Sequence, residues 1–188
     1  MSQPPEHPVQ LARLVEEFHA LPADDDRRLE IIAALDPGGI TTGTAVDAAL
    51  FLASVVADPH AYELARVEAA TILRLWPPSD PAAARSVVRA LLSASNHPDE
   101  DLVRQYAVHA LGSYADEPAV HEALAAAVLD DDGDEDTLVR HNALAALEEA
   151  GPSDARSDVL RALAPDPELG RAAARVLTAW DRTPDAPA

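Results

Sequence analysis

The chain has 188 residues, enough for one ordinary domain with a continuous core. Apolar types make up 48% and aromatics only 4%, with Ala, Leu and Val dominant, which favours closely packed helices over a β-sandwich. Against 33 acidic residues stand 14 basic ones, all arginine; the formal net charge of -19 argues against nucleic acid phosphates and anionic membranes as partners.

In chain order, residues 1–7 read as a disordered polar tail without the basic and apolar regions of a secretory signal. Proline then punctuates the chain, and several prolines follow an acid directly: Asp58-Pro59, Asp80-Pro81, Glu117-Pro118 and Asp166-Pro167. An acid at the N-cap accepts orphan backbone N–H groups, and a proline at the first helical position has no N–H to leave unpaired. Cutting at these marks predicts ten helices over 8–20, 24–35, 42–57, 59–76, 81–95, 99–115, 118–129, 136–150, 153–164 and 167–181. Short loops require neighbouring helices to pack antiparallel. Residues 183–188 read as a frayed tail, leaving 8–182 as a single domain.

The even-numbered helices share a pattern of arginine, a small or aliphatic residue three later, and apolar residues six and seven later. Its instances are Arg28-Ile31-Ala34-Leu35, Arg66-Ala69-Ile72-Leu73, Arg104-Ala107-Ala110-Leu111, Arg140-Ala143-Ala146-Leu147 and a weaker Arg171-Ala174-Leu177. The arginines are spaced 38, 38, 36 and 31 residues apart, a period that predicts a stacked solenoid. The four offsets fall on one helical face, expected to be buried. An acid precedes each arginine by three or four residues (Asp25, Glu63, Asp101, Asp136, Glu168), placed to cap its helix or to pair with the arginine of a neighbouring repeat.

The segments Asp101-Leu102-Val103-Arg104-Gln105-Tyr106-Ala107-Val108-His109-Ala110-Leu111-Gly112 and Asp136-Thr137-Leu138-Val139-Arg140-His141-Asn142-Ala143-Leu144-Ala145-Ala146-Leu147 resemble HEAT repeats of the bacterial, phycobilin-lyase type. The resemblance covers residues 60–180. It implies an all-α, right-handed, armadillo-type α-solenoid of about five antiparallel two-helix repeats, with the arginine-bearing helices lining its concave side. The motif speaks to fold and is nearly silent on function.

Two surfaces are candidates for partner binding. The first is an acidic edge: Asp99, Glu100, Asp130, Asp131, Asp132, Asp134 and Glu135. Six acids fall within the seven residues 130–136, more than helix capping requires. The second is a strip at positions one, two and five after the arginines, with its continuation along the same helices: Glu68, Arg74, Gln105, Tyr106, His109, His141, Asn142, Glu148 and Arg175. Trp76 and Tyr114, each ten residues after an arginine, are expected to pack at helix ends.

Metal and catalytic patterns are missing. Placing Gly133 sixth in a calcium loop puts valines, Val128 and Val139, at the first and twelfth positions. The seven histidines contain no His-Glu-x-x-His and no i, i+4 pair, and with no cysteine there is no thiolate site. No nucleophile elbow or phosphate loop is present. The expectation is a non-catalytic, cofactor-free, cytoplasmic module, monomeric in preference, that holds a basic protein, as an immunity protein, an antitoxin or a scaffold. The alternatives are a lyase-like or chaperone-like accessory of a cofactor-modifying enzyme, and a nucleic acid mimic.

Overall fold

The computed structural model describes residues 7–35, 42–97, 101–130 and 137–182. The expected tails, apart from His7, and most of the acidic edge lie outside them. The described chain is all-helical, with ten α-helices and no strand among the described residues: α1 (His7–Ala20), α2 (Arg27–Ala33), α3 (Thr42–Ala57), α4 (Glu63–Leu75), α5 (Pro81–Ser95), α6 (Asp101–Leu111), α7 (Pro118–Leu129), α8 (Thr137–Glu149), α9 (Asp154–Ala162) and α10 (Gly170–Arg182). A 3-10 turn, Gly112–Tyr114, extends α6.

Proline and acid set several of these ends, in two different ways. At α5 the pair works as a cap: Asp80 accepts from Ala82 N–H at 3.0 Å and Ala83 N–H at 2.8 Å, with Pro81 as the first helical residue. Pro118 likewise opens α7, although Glu117 makes no side-chain capping bond. At Asp58-Pro59 and Asp166-Pro167 the carboxylate instead closes a turn ahead of the helix. Asp58 accepts from His60 N–H at 2.9 Å, and Asp166 from Glu168 N–H at 2.9 Å and Leu169 N–H at 2.7 Å. Consequently α4 starts at Glu63 rather than 59, and α10 at Gly170 rather than 167. A similar turn, with Asp25 accepting from Arg27 N–H at 2.9 Å, moves the start of α2 from 24 to Arg27.

The chain falls into two compact units, residues 1–110 and 111–188. In the first, α1 packs on α2 and α3, α3 on α4 and α5, and α2 on α4. Its core centres on Ile32, Leu52, Val56, Leu73, Val87 and Leu91, each almost wholly removed from solvent. Phe18 and Phe51 meet edge to face at 5.2 Å between ring centroids and close the α1–α3 contact. In the second unit α7 packs on α8 and α9, α9 on α10, and the 3-10 turn on α8. Leu124, Leu147, Leu160, Leu163 and Leu169 fill that core.

Small residues allow the closest approaches. A Cβ added to Gly112 would stand 2.9 Å from both Cα and O of Ala146, so the turn rests directly on the backbone of α8. Gly151, at φ +78°, reverses the chain after α8, a conformation that costs glycine little.

Candidate functional site

Three of the recurring arginines, Arg28, Arg66 and Arg140, have one structural task in common. The last carbonyls of an α-helix lack intrahelical donors and carry the negative end of the helix dipole, so a cation that donates to them is doubly favoured. Arg66 of α4 lies 3% exposed and donates Nε and Nη2 to the Val56 carbonyl in the last turn of α3, at 3.1 and 2.9 Å. Arg140 of α8 donates Nε to Val128 O in the last turn of α7 at 3.3 Å. Arg28 of α2 donates Nη2 to Leu21 O, just past α1, at 2.8 Å, and its guanidinium carbon lies 4.6 Å from the Phe18 ring centroid. The planar fork of arginine suits this double service to carbonyl and ring better than a lysine ammonium.

Arg140 also reaches two acids ahead of α10. It pairs with Asp166 and lies 3.7 Å from Glu168, both in the segment leading into α10, while His141 Nε2 lies 3.2 Å from the same Glu168. The backbone N–H of Leu169, then the Arg140 guanidinium, hold Asp166 below the ordinary aspartate range. Arg104 of α6 has a largely covered side chain and approaches Asp101 at 3.5 Å.

The fifth instance is corrected. Arg171 and Ala174 are exposed, and the buried face of α10 is Gly170, Ala173 and Val176, one residue out of the expected register. The cause is steric. At Gly170 a Cβ would come within 2.9 Å of Ala164 O and 3.0 Å of Leu163 O, so glycine alone fits where the earlier helices place an arginine. Ala34, expected in the buried face of α2, is also exposed, whereas Leu35 beside it is buried as expected.

An arginine that the repeat pattern missed does comparable work. Arg156 of α9, 7% exposed, donates Nε to Gly151 O at 2.7 Å and Nη1 to Asp116 at 3.0 Å. It lies on an odd-numbered helix, outside the 36–38-residue rhythm. The signal that could have located it is the Gly151-Pro152-Ser153 turn five residues earlier.

The expected strip is placed helix by helix. In the first unit Tyr106 is exposed, and Glu68, Arg74, Gln105 and His109 are half-buried. In the second, His141, Glu148 and Arg175 are exposed and Asn142 is half-buried, with Arg175 lying 3.6 Å from Glu148. Of the acidic edge, Asp130 is exposed at the end of α7; Asp99, Glu100, Asp131, Asp132, Asp134 and Glu135 lie outside the described residues. Among the described residues no group of three His, Asp or Glu side chains comes together to hold a metal. No described helix is long and apolar enough to cross a membrane.

The aromatics part company. Tyr114, in the 3-10 turn, is buried, and burial pushes its hydroxyl well above the usual tyrosine range. Trp76 is 44% exposed, against the expectation that it packs at its helix end. It follows the last residue of α4 at φ -132°, ψ 71°, where the chain leaves the helix toward Pro77-Pro78. Leu64 and Leu75 of α4 are exposed as well.

Comparison with protein-family models, with curated proteins and with solved structures finds no match for this chain.

Proposed function

We propose that the chain is a non-catalytic, HEAT-like helical-repeat module that binds a basic protein. The observation that carries this reading is the unequal use of the two charges. Arg28, Arg66 and Arg156 are buried, and the side chains of Arg104 and Arg140 are only 18% and 14% exposed. These cations serve the carbonyls, carboxylates and aromatic ring of their own chain. Carboxylates such as Asp24, Asp47, Glu63, Glu122 and Asp130 stand exposed. The outer surface is therefore more acidic than the composition alone suggests, a field that steers a basic partner and opposes an anionic one. The packing of α1 on α3, α3 on α5 and α2 on α4 supports the repeat reading.

The test is a pull-down with the full chain at about 50 mM and about 500 mM salt, bracketing strong and weak screening. A basic protein retained at low salt and released at high salt is the expected result. Retention of no salt-sensitive basic partner overturns the proposal.

A further inference from the structure

The outer face of α4 has a composition that charge steering does not require. At 3.6 residues per turn, Leu64, Glu68, Thr71 and Leu75 fall within about 60° of one another, and the two leucines are about 16 Å apart along the axis. Ala65, Ala69, Ile72 and Leu73, on the opposite side, are buried. Leu64 is 39% exposed and Leu75 50%, and Trp76, the residue next to Leu75 just past the helix end, is 44% exposed. Large apolar side chains gathered along one exposed helix face mark a contact surface more often than scattered ones do. Tryptophan is prominent among residues that carry binding energy.

The charges beside this row are mainly negative. Glu68 lies between the leucines, Glu63 precedes the first, and Glu30 is exposed on α2, the helix packed beside α4. Of the cations on these two helices, Arg28 and Arg66 are buried and Arg27 pairs with Glu17 at 2.7 Å. Arg74, at the Leu75 end, is half-buried and engaged within its own chain.

We infer that this face of α4 seats a short amphipathic basic helix of the partner protein. The inferred segment carries apolar side chains for Leu64 and for Leu75 with Trp76, and lysines or arginines for the carboxylates between and beside them. The inference rests on the binding role proposed above and adds the kind of segment that is bound. An acidic surface alone takes any polycation, whereas this face distinguishes an amphipathic helix from an equally charged chain without an apolar side.

Trp76 reports on its own occupancy. In full-length Trp180→Phe protein it is the one remaining tryptophan. Two peptides of identical Leu and Lys composition serve as probes: one gathers its leucines on a single helical face, the other scatters them. Titrated at low salt, the amphipathic peptide is expected to shift Trp76 emission to the blue and to bind about tenfold more tightly than the scattered one. Leu64→Ser/Leu75→Ser removes that advantage and leaves the charge-driven binding that both peptides share; because both leucines are exposed, the variant keeps its core. Equal affinities with an unmoved Trp76, or an advantage that survives in the double variant, overturn the α4 seat and leave the broader binding role standing. Binding of neither peptide overturns both.

Discussion

Helices α4 and α10 carry what reads as the same motif, and they use it differently. In α4, Arg66 turns inward and donates two N–H groups to Val56 O at the end of the preceding helix. In α10, Arg171 points to solvent, and Gly170 occupies the inner position with the carbonyls of Leu163 and Ala164 against it. The difference shows that the arginine is a spacer as much as a charge. Where the preceding helix end lies a side chain's length away, arginine bridges the gap and satisfies the orphan carbonyl. Where the backbones come together, only a residue without a side chain fits.

The largest expected effect separates the two arginines. Arg66→Ala removes both donors to Val56 O and leaves a cavity, at a cost of about 3 kcal/mol in thermal unfolding. Arg171→Ala is expected within about 0.5 kcal/mol of the wild type, as for an exposed position with no special contact. Similar losses for the two would break the comparison.

Next comes Gly170→Ala, which forces a Cβ against two backbone oxygens that cannot swing aside as a side chain would. A loss of about 2 kcal/mol is expected, in the range of overpacked sites. A neutral result in chemical denaturation would mean that α10 stands farther from α9 than the arginine–glycine contrast requires. The equivalent change at Gly112, against the Ala146 backbone, is expected to act alike.

The smallest effect concerns pH. Asp166 has its folded-state value lowered, so it stabilises the fold while ionised and loses that contribution as pH falls below the ordinary aspartate range, below about pH 4. Asp166→Asn is expected to flatten that part of the stability-against-pH curve and to leave the neutral-to-alkaline side parallel to wild type. An unchanged acid limb in urea titrations would show that the Arg140 and Leu169 contacts do not discriminate between the two protonation states.

The α4–α10 contrast also marks how far the sequence could be read. Ten helices followed from proline and apolar spacing, and the buried offsets hold closely at Ala69-Ile72-Leu73, Ala107-Ala110-Leu111 and Ala143-Ala146-Leu147, because burial imposes a period on side-chain type. Helix starts after Asp58-Pro59 and Asp166-Pro167 were misplaced, since a carboxylate that closes a turn leaves the same trace as one that caps a helix. The acceptors of the arginines were not legible at all: every residue has a carbonyl, so a side-chain bond to one selects nothing at the accepting position. Arg156 lies outside the repeat pattern, and Arg171 fits the pattern but not the fold, because Gly170 takes the inner position. The exposed leucines Leu64 and Leu75 are hidden in the sequence because they look like core until the buried sector of α4 is assigned to Ala65, Ala69, Ile72 and Leu73.

The arginine-to-carbonyl bonds have a consequence for how the chain folds. They join residues 7, 10, 12 and 5 apart at Arg28, Arg66, Arg140 and Arg156. Loops of about ten residues close in roughly 10–100 ns, far faster than a domain assembles. Each bond can therefore form as soon as its two chain segments meet, without waiting for distant parts of the molecule, and a fold built on such local closures belongs among the fast ones. The side chains that remove cations from the surface are thus also placed to fasten the first native turns.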